Sequence, residues 1–165
     1  MSEKLQRKMM AHFVDTSMRD TTPSWYRLGK DFEEFNVDMN PDTEVGKNIL
    51  GESTFVHNGY QISADANPYY AREGDALFSQ LQTIIDDQAQ YGECASYALD
   101  VHMWEPGTTS GTYKAYRQEC YLVPTSYGGD TSGYQIPFTI SYVGERKSGY
   151  FTPDGNGGGS FALDT

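Results

Sequence analysis

The sequence predicts a mainly β, α+β domain: an antiparallel β-sandwich or partly closed barrel with one flanking α-helix. Three observations carry that expectation. Apolar and polar residues alternate over several short segments, most cleanly at Tyr134, Ile136, Phe138, Ile140 and Tyr142. One stretch alone has helical spacing, with Leu77, Phe78, Leu81, Ile84 and Ile85 on a single stripe. Gly and Pro, 17 and 7 of the 165 residues, punctuate the apolar segments as turns do.

Residues 1–8 are polar and read as a flexible N-terminal arm, ahead of a domain spanning residues 9–153. Short strands are expected at residues 9–14 and 25–28. Phe35, Val37 and Met39 alternate with Asn36, Asp38 and Asn40, a half-buried strand stopped by Pro41. Tyr60, Ile62, Ala64 and Ala66 repeat the pattern against Gln61, Ser63 and Asp65, with Pro68 as the stop. Residues 42–59 between them are long for a connection, and Ile49, Leu50, Phe55 and Val56 show no period. That segment is either an extended hairpin or a loop packed on something else.

The helix is expected over residues 75–91. Asp75 stands at the N-cap, its carboxylate available to early backbone N–H groups, and Gly92 follows the last turn. Everything after it reads as β. Tyr97, Leu99, Val101 and Met103 alternate with Ala98, Asp100 and His102. Residues 113–123 place Tyr116, Cys120 and Leu122 on one face, Arg117 and Glu119 on the other. Residues 127–133 have loop chemistry, and a last hairpin turning at residues 144–149 returns Tyr150 and Phe151. Residues 154–165 read as a flexible Gly-rich C-terminal tail.

Charge narrows the function. Against 23 Asp and Glu there are 12 Lys and Arg, a net of −11, which counts against tight, sequence-independent nucleic-acid binding. No apolar run approaches the roughly 20 residues that span a bilayer, and no signal peptide is expected. Cys94 and Cys120 read as half-buried thiols, not a disulfide framework. His12, His57 and His102 lack metal-ligand spacing, so neither metal nor cofactor is expected. A Cys–His dyad through either cysteine has nothing in the sequence to support it. Glu33 with Glu34 and Asp86 with Asp87 read as solvated faces. Asp38, Asn40, Asp42 and Glu44 lack the Gly and Glu of a calcium loop, and the glycines at 155–159 lack the Lys of a phosphate loop. Tyr69, Tyr70, Tyr113, Tyr116, Tyr121 and Tyr127 fit a sugar-stacking surface less well than a core or interface.

Several segments carry a resemblance. MMAHFVDT at 9–16, PSWYRLGKD at 23–31, NPDTE at 40–44 and NILGE at 48–52 come first. The Tyr69–Tyr70 pair, DALF at 75–78, YKAYR at 113–117 and PTSYGGDTSGYQIPF at 124–138 continue it. Together they resemble the major tail tube proteins of long-tailed phages of Gram-positive hosts, over most of residues 9–143. The Gly-rich C-terminus departs from that pattern. The resemblance implies a β-sandwich with a flanking helix, assembled as hexameric rings stacked into a hollow tube. It also implies a structural, non-enzymatic role in the virion tail after assembly in the host bacterial cytoplasm. Tape-measure, tail terminator and distal tail proteins would be partners, and double-stranded DNA would pass through without tight binding. In that family a long loop between early strands reaches neighbouring subunits or rings. By position it is residues 42–59, so Asn48, Ile49, Leu50, Phe55 and Val56 would be covered by a partner. Asp38, Asp100 and Glu119, on polar strand faces, are the acidic residues expected at the lumen or ring surface. The tube of a phage-derived bacteriocin or secretion device is the alternative within this class, a carbohydrate-binding β-sandwich the one outside it.

Overall fold

The computed structural model describes residues 3–19, 22–30, 32, 34–66, 69–155 and 157–163. Glu33, Pro68, residues 1–2 of the expected arm and residues 164–165 of the expected tail lie outside the described residues.

The apolar segments become strands. β1 (Met10–Asp15) and β2 (Trp25–Leu28) pair antiparallel, with Phe13 opposite Arg27 and Val14 opposite Tyr26. Asp15 is fully buried at the end of β1. Its carboxylate accepts backbone N–H bonds from Ser17 at 2.9 Å, Arg19 at 3.2 Å and Ser24 at 3.0 Å. Those donors replace the water a buried carboxylate loses, and they fix the polar turn between the strands.

β3 (Phe35–Asp38) leads into β4 (Pro41–Lys47), so Pro41 opens a strand where it was expected to stop one. At the first position of a strand, its missing N–H is tolerated. β5 (Ser53–Tyr60) pairs with β4 in a separate two-stranded sheet, and β6 (Ser63–Ala66) returns to pair with β3. The expected continuous alternation through Tyr60 and Ala66 is thus divided at Gln61.

The helix α1 (Ala76–Asp87) buries Leu77, Leu81 and Ile84 as its spacing predicts. It stops at Asp87, short of Tyr91, because Gln88 takes a left-handed conformation (φ 48°) and its N–H closes on the carbonyls of Ile84 and Ile85. Asp75 occupies the N-cap position without capping by its side chain. Its carboxylate instead accepts the hydroxyls of Tyr26 at 2.8 Å and Tyr69 at 2.7 Å, pinning the helix start to β2.

β7 (Ala95–Pro106) and β8 (Tyr113–Pro124) follow, then a small hairpin of β9 (Gly128–Asp130) and β10 (Gly133–Gln135). Two expectations fail beyond it. Residues 144–149 do not turn: β11 runs unbroken over Phe138–Pro153, with an irregular register between Val143 and Lys147 and Gly144 at φ 71°. Pairing with β8 on both sides of that bulge keeps the strand continuous. The Gly-rich tail is not flexible throughout either, since β12 (Gly159–Leu163) pairs with β11 and sets Phe161 opposite Phe151. Glycine is required there because a Cβ at Gly159 would meet the Phe151 ring and the Thr152 carbonyl.

The main sheet has eight strands in the order β2–β1–β7–β8–β11–β6–β3, with β12 added on β11. Both of its faces are covered. One cluster, including Val14, Ala98, Cys120, Leu122 and Ile140, packs against Leu77, Leu81 and Ile84 of α1. A second, of Ala11, Phe13, Trp25, Leu99, Val101, Ala115 and Phe151, lies on the opposite side. The sheet also curls. β1 and β3 stand near opposite ends of the strand order, yet the rings of His12 and Phe35 sit 5.0 Å apart. Arg7 bridges the same gap, donating to the Phe35 carbonyl at 2.8 Å. The result is mainly β with one helix, as the sequence predicts: a partly closed antiparallel barrel.

Candidate functional site

Two features stand out: a protruding ribbon outside the packed cores, and an open seam whose walls include Leu28 and Phe35 from the edge of the first core. Residues 42–59 are a hairpin, which resolves the two readings the sequence left. Within β4, β5 and the turn joining them, every residue except the half-buried Gly59 is exposed. Thr43 pairs with His57, Val45 with Phe55 and Lys47 with Ser53, and these share one face. Glu44 with Val56 and Gly46 with Thr54 form the other. The apolar residues show no period because they are divided among two faces and the tip. A seven-residue strand at about 3.4 Å per residue carries the tip roughly 24 Å from its root.

Both ends of the ribbon are shaped by asparagine. Asn40, with φ 44°, kinks the chain out of β3 and donates through its side chain to the Gln61 carbonyl at 2.9 Å and the Ser63 hydroxyl at 3.2 Å. Asn48 builds the tip, its side-chain oxygen accepting the N–H groups of Leu50 at 2.9 Å and Glu52 at 3.0 Å. That arrangement leaves Ile49 at 103% exposure and Leu50 at 77%. Phe55 and Val56 are exposed further down.

The three acidic candidates separate. Asp38 and Glu119 are exposed, on β3 and β8. Asp100 is buried, so its expected place at a lumen or ring surface is corrected. His12 Nδ1 lies 2.8 Å from one of its oxygens, and Arg146, stacked over the Tyr116 ring, donates to the other at 2.9 Å. Burial by itself would push the Asp100 carboxyl up. The hydrogen bond and charge of His12, with those of Arg146, outweigh that and hold it below the usual carboxylate range. Alternation put Asp100 on the polar side of β7, but that side faces His12 and the curled end of the sheet.

The remaining nominations are dispersed. His57 packs edge-on against Tyr60 within the hairpin, and His102 stacks on Trp104 at 4.6 Å. Among the described residues no cluster of His, Cys, Asp and Glu is arranged to hold a metal ion. Tyr69 is in the core, Tyr113 packs on the second cluster and Tyr121 on the first, while Tyr127 is exposed. Cys120 is wholly buried, and burial pushes its thiol up to about 12, far from nucleophilic. The Cys94 thiol is raised too, by burial and then by the charge of Glu93, and it donates to the Ala89 carbonyl. Titration with a thiol reagent at pH 8 should find Cys120 unreactive in the folded protein and both thiols reactive in denaturant. Reaction of Cys120 under native conditions would mean the sheet opens there.

The seam is the feature sequence reasoning missed. Where β1 and β2 face β3 across the incomplete closure, a cleft of about 850 Å³ remains. Met10, Leu28, Phe32 and Phe35 give it apolar walls, and Arg7, Lys8, Arg27 and Lys30 are its cations, with Glu34 and Asp75 also lining it. A signal for it exists. The first 30 residues hold six Lys and Arg against three Asp and Glu, reversing the sign of the whole chain. No family model matches this chain, and no curated protein does.

Proposed function

We propose that this chain is a structural protomer that assembles with copies of itself into stacked rings, forming the tube of a phage tail. The observation that carries the reading is the hairpin: a ribbon outside both cores, with Ile49, Leu50, Phe55 and Val56 standing in water. It falls where the resembled family has its inter-subunit loop. Isolated two-stranded ribbons are marginal in water, so a partner that covers this one stabilises it.

Magnitudes set the form of the assembly. Burying each of those four side chains contributes about 1.5–3 kcal/mol, before the cost of association, which runs to about 4–15 kcal/mol. A single hairpin contact is therefore weak, and several made together around a ring are strong. Assembly should be steep in protein concentration. The charge of −11 suits a conduit for double-stranded DNA, because an acidic wall repels phosphates and releases no counterions.

Negative-stain electron microscopy of the concentrated protein tests this. Rings or tubes with a central bore are expected. Strictly monomeric sedimentation at high concentration, with no such particles, would refute the assignment.

A further inference from the structure

We propose that the seam cleft is the socket for the hairpin of a second copy of this chain. The inference rests on the self-assembly reading above and adds the surface at which it occurs. Chemistry is the first support. The cleft joins apolar walls to a cationic rim of Arg7, Lys8, Arg27 and Lys30. The hairpin presents Ile49, Leu50, Phe55 and Val56 with Asp42, Glu44 and Glu52, against the single cation Lys47. Two copies of a strongly acidic chain repel one another over most of their surfaces. The rim is where an acidic ribbon is instead attracted, and that difference selects one docking site and orientation.

Backbone chemistry is the second support. β2 and β3, the end strands of the main sheet, flank the cleft, and each has one edge unpaired with any other described strand, although the Arg7 side chain occupies the Phe35 carbonyl of β3. Such edges template the addition of an extended segment, and the ribbon supplies one. No hairpin residue lines the cleft of its own chain. Plug and socket are therefore different patches of one molecule, which makes the contact heterologous, the kind that propagates from copy to copy into rings or filaments.

Disulfide trapping in the full chain tests the geometry. Leu50→Cys at the tip is combined with Asn36→Cys at the cleft, and separately with Asp87→Cys at the exposed end of α1. Mild oxidation of concentrated protein should give a ladder of linked oligomers from the first pair and little from the second. Charge reversal gives an independent readout that needs no cross-link. Lys8→Glu with Lys30→Glu, both exposed positions, should raise the concentration needed for assembly about tenfold at low salt. Asp42→Lys with Glu44→Lys should do the same, and the four changes together should restore assembly. Tubes that form normally from the cleft variant, or equal ladders from both pairs, would overturn the socket while leaving self-assembly standing. Wild-type protein that never assembles would overturn both.

Discussion

A chain lacking residues 48–56 is expected to fold as stably as the intact protein and to form no rings or tubes at any concentration. The first half follows from packing. Neither core takes a side chain from the hairpin, and the ribbon's root is held by Asn40, Gln61 and Ser63, all outside the deletion. Urea melts of the two proteins should therefore superimpose. The second half follows from what is removed: Ile49, Leu50, Phe55 and Val56, together with the Asn48 turn that aims the tip. Each lost side chain takes away about 1.5–3 kcal/mol, a factor of about ten to a hundred in affinity, and the losses recur at every copy. Micrographs and sedimentation should both report monomers. Normal tubes from this variant would show that the hairpin is not an assembly element.

Asp100→Ala is expected to destabilise the fold by about 3 kcal/mol, because it strands its partners at a largely buried site. His12 and Arg146 both bond its carboxylate, and His12 in turn packs on Phe35 across the seam. Arg146→Ala should cost less, since its side chain is 41% exposed and water can take over part of its role. Asp100 also gives stability a dependence on pH. Its folded-state pKa lies below the unfolded value, so its contribution is complete above about pH 4 and fades as pH falls through the depressed native value. Urea melts of wild type and Asp100→Asn should accordingly differ at pH 7 and converge in acid. A gap that persists unchanged at the lowest pH at which both proteins fold would place the stabilisation elsewhere.

Much of this architecture is legible in one dimension. The helical stripe from Leu77 to Ile85 reappears as α1, and the period of two from Phe138 to Tyr142 as the start of β11, because each buries one face against the same core. The expected strand does not run on from Tyr134: that residue is exposed in the separate β9–β10 hairpin, and Ile136 is buried between the two strands. Asp100 misled because alternation separates two faces without saying that both are covered; here Leu99 and Ala98 serve opposite clusters. β12 was hidden by the glycines leading into it, of which Gly159 permits a close approach to Phe151 and does not signal disorder. The cleft was beyond the sequence for a topological reason: its walls come from opposite ends of the strand order and meet only when the sheet curls.

Because residues 41–60 share nothing with either core, damage to the ribbon and damage to the barrel should differ in genetic dominance. A chain with a crippled core does not fold, contributes nothing, and is masked by a good copy of the gene. On the proposed assembly, a chain with a crippled ribbon folds, keeps its seam, and competes for places in a growing array that it cannot extend. Where both kinds of chain are made in one cell, lesions of the first kind should be recessive. Those of the second should poison their neighbours, in proportion to the share of subunits that carry them.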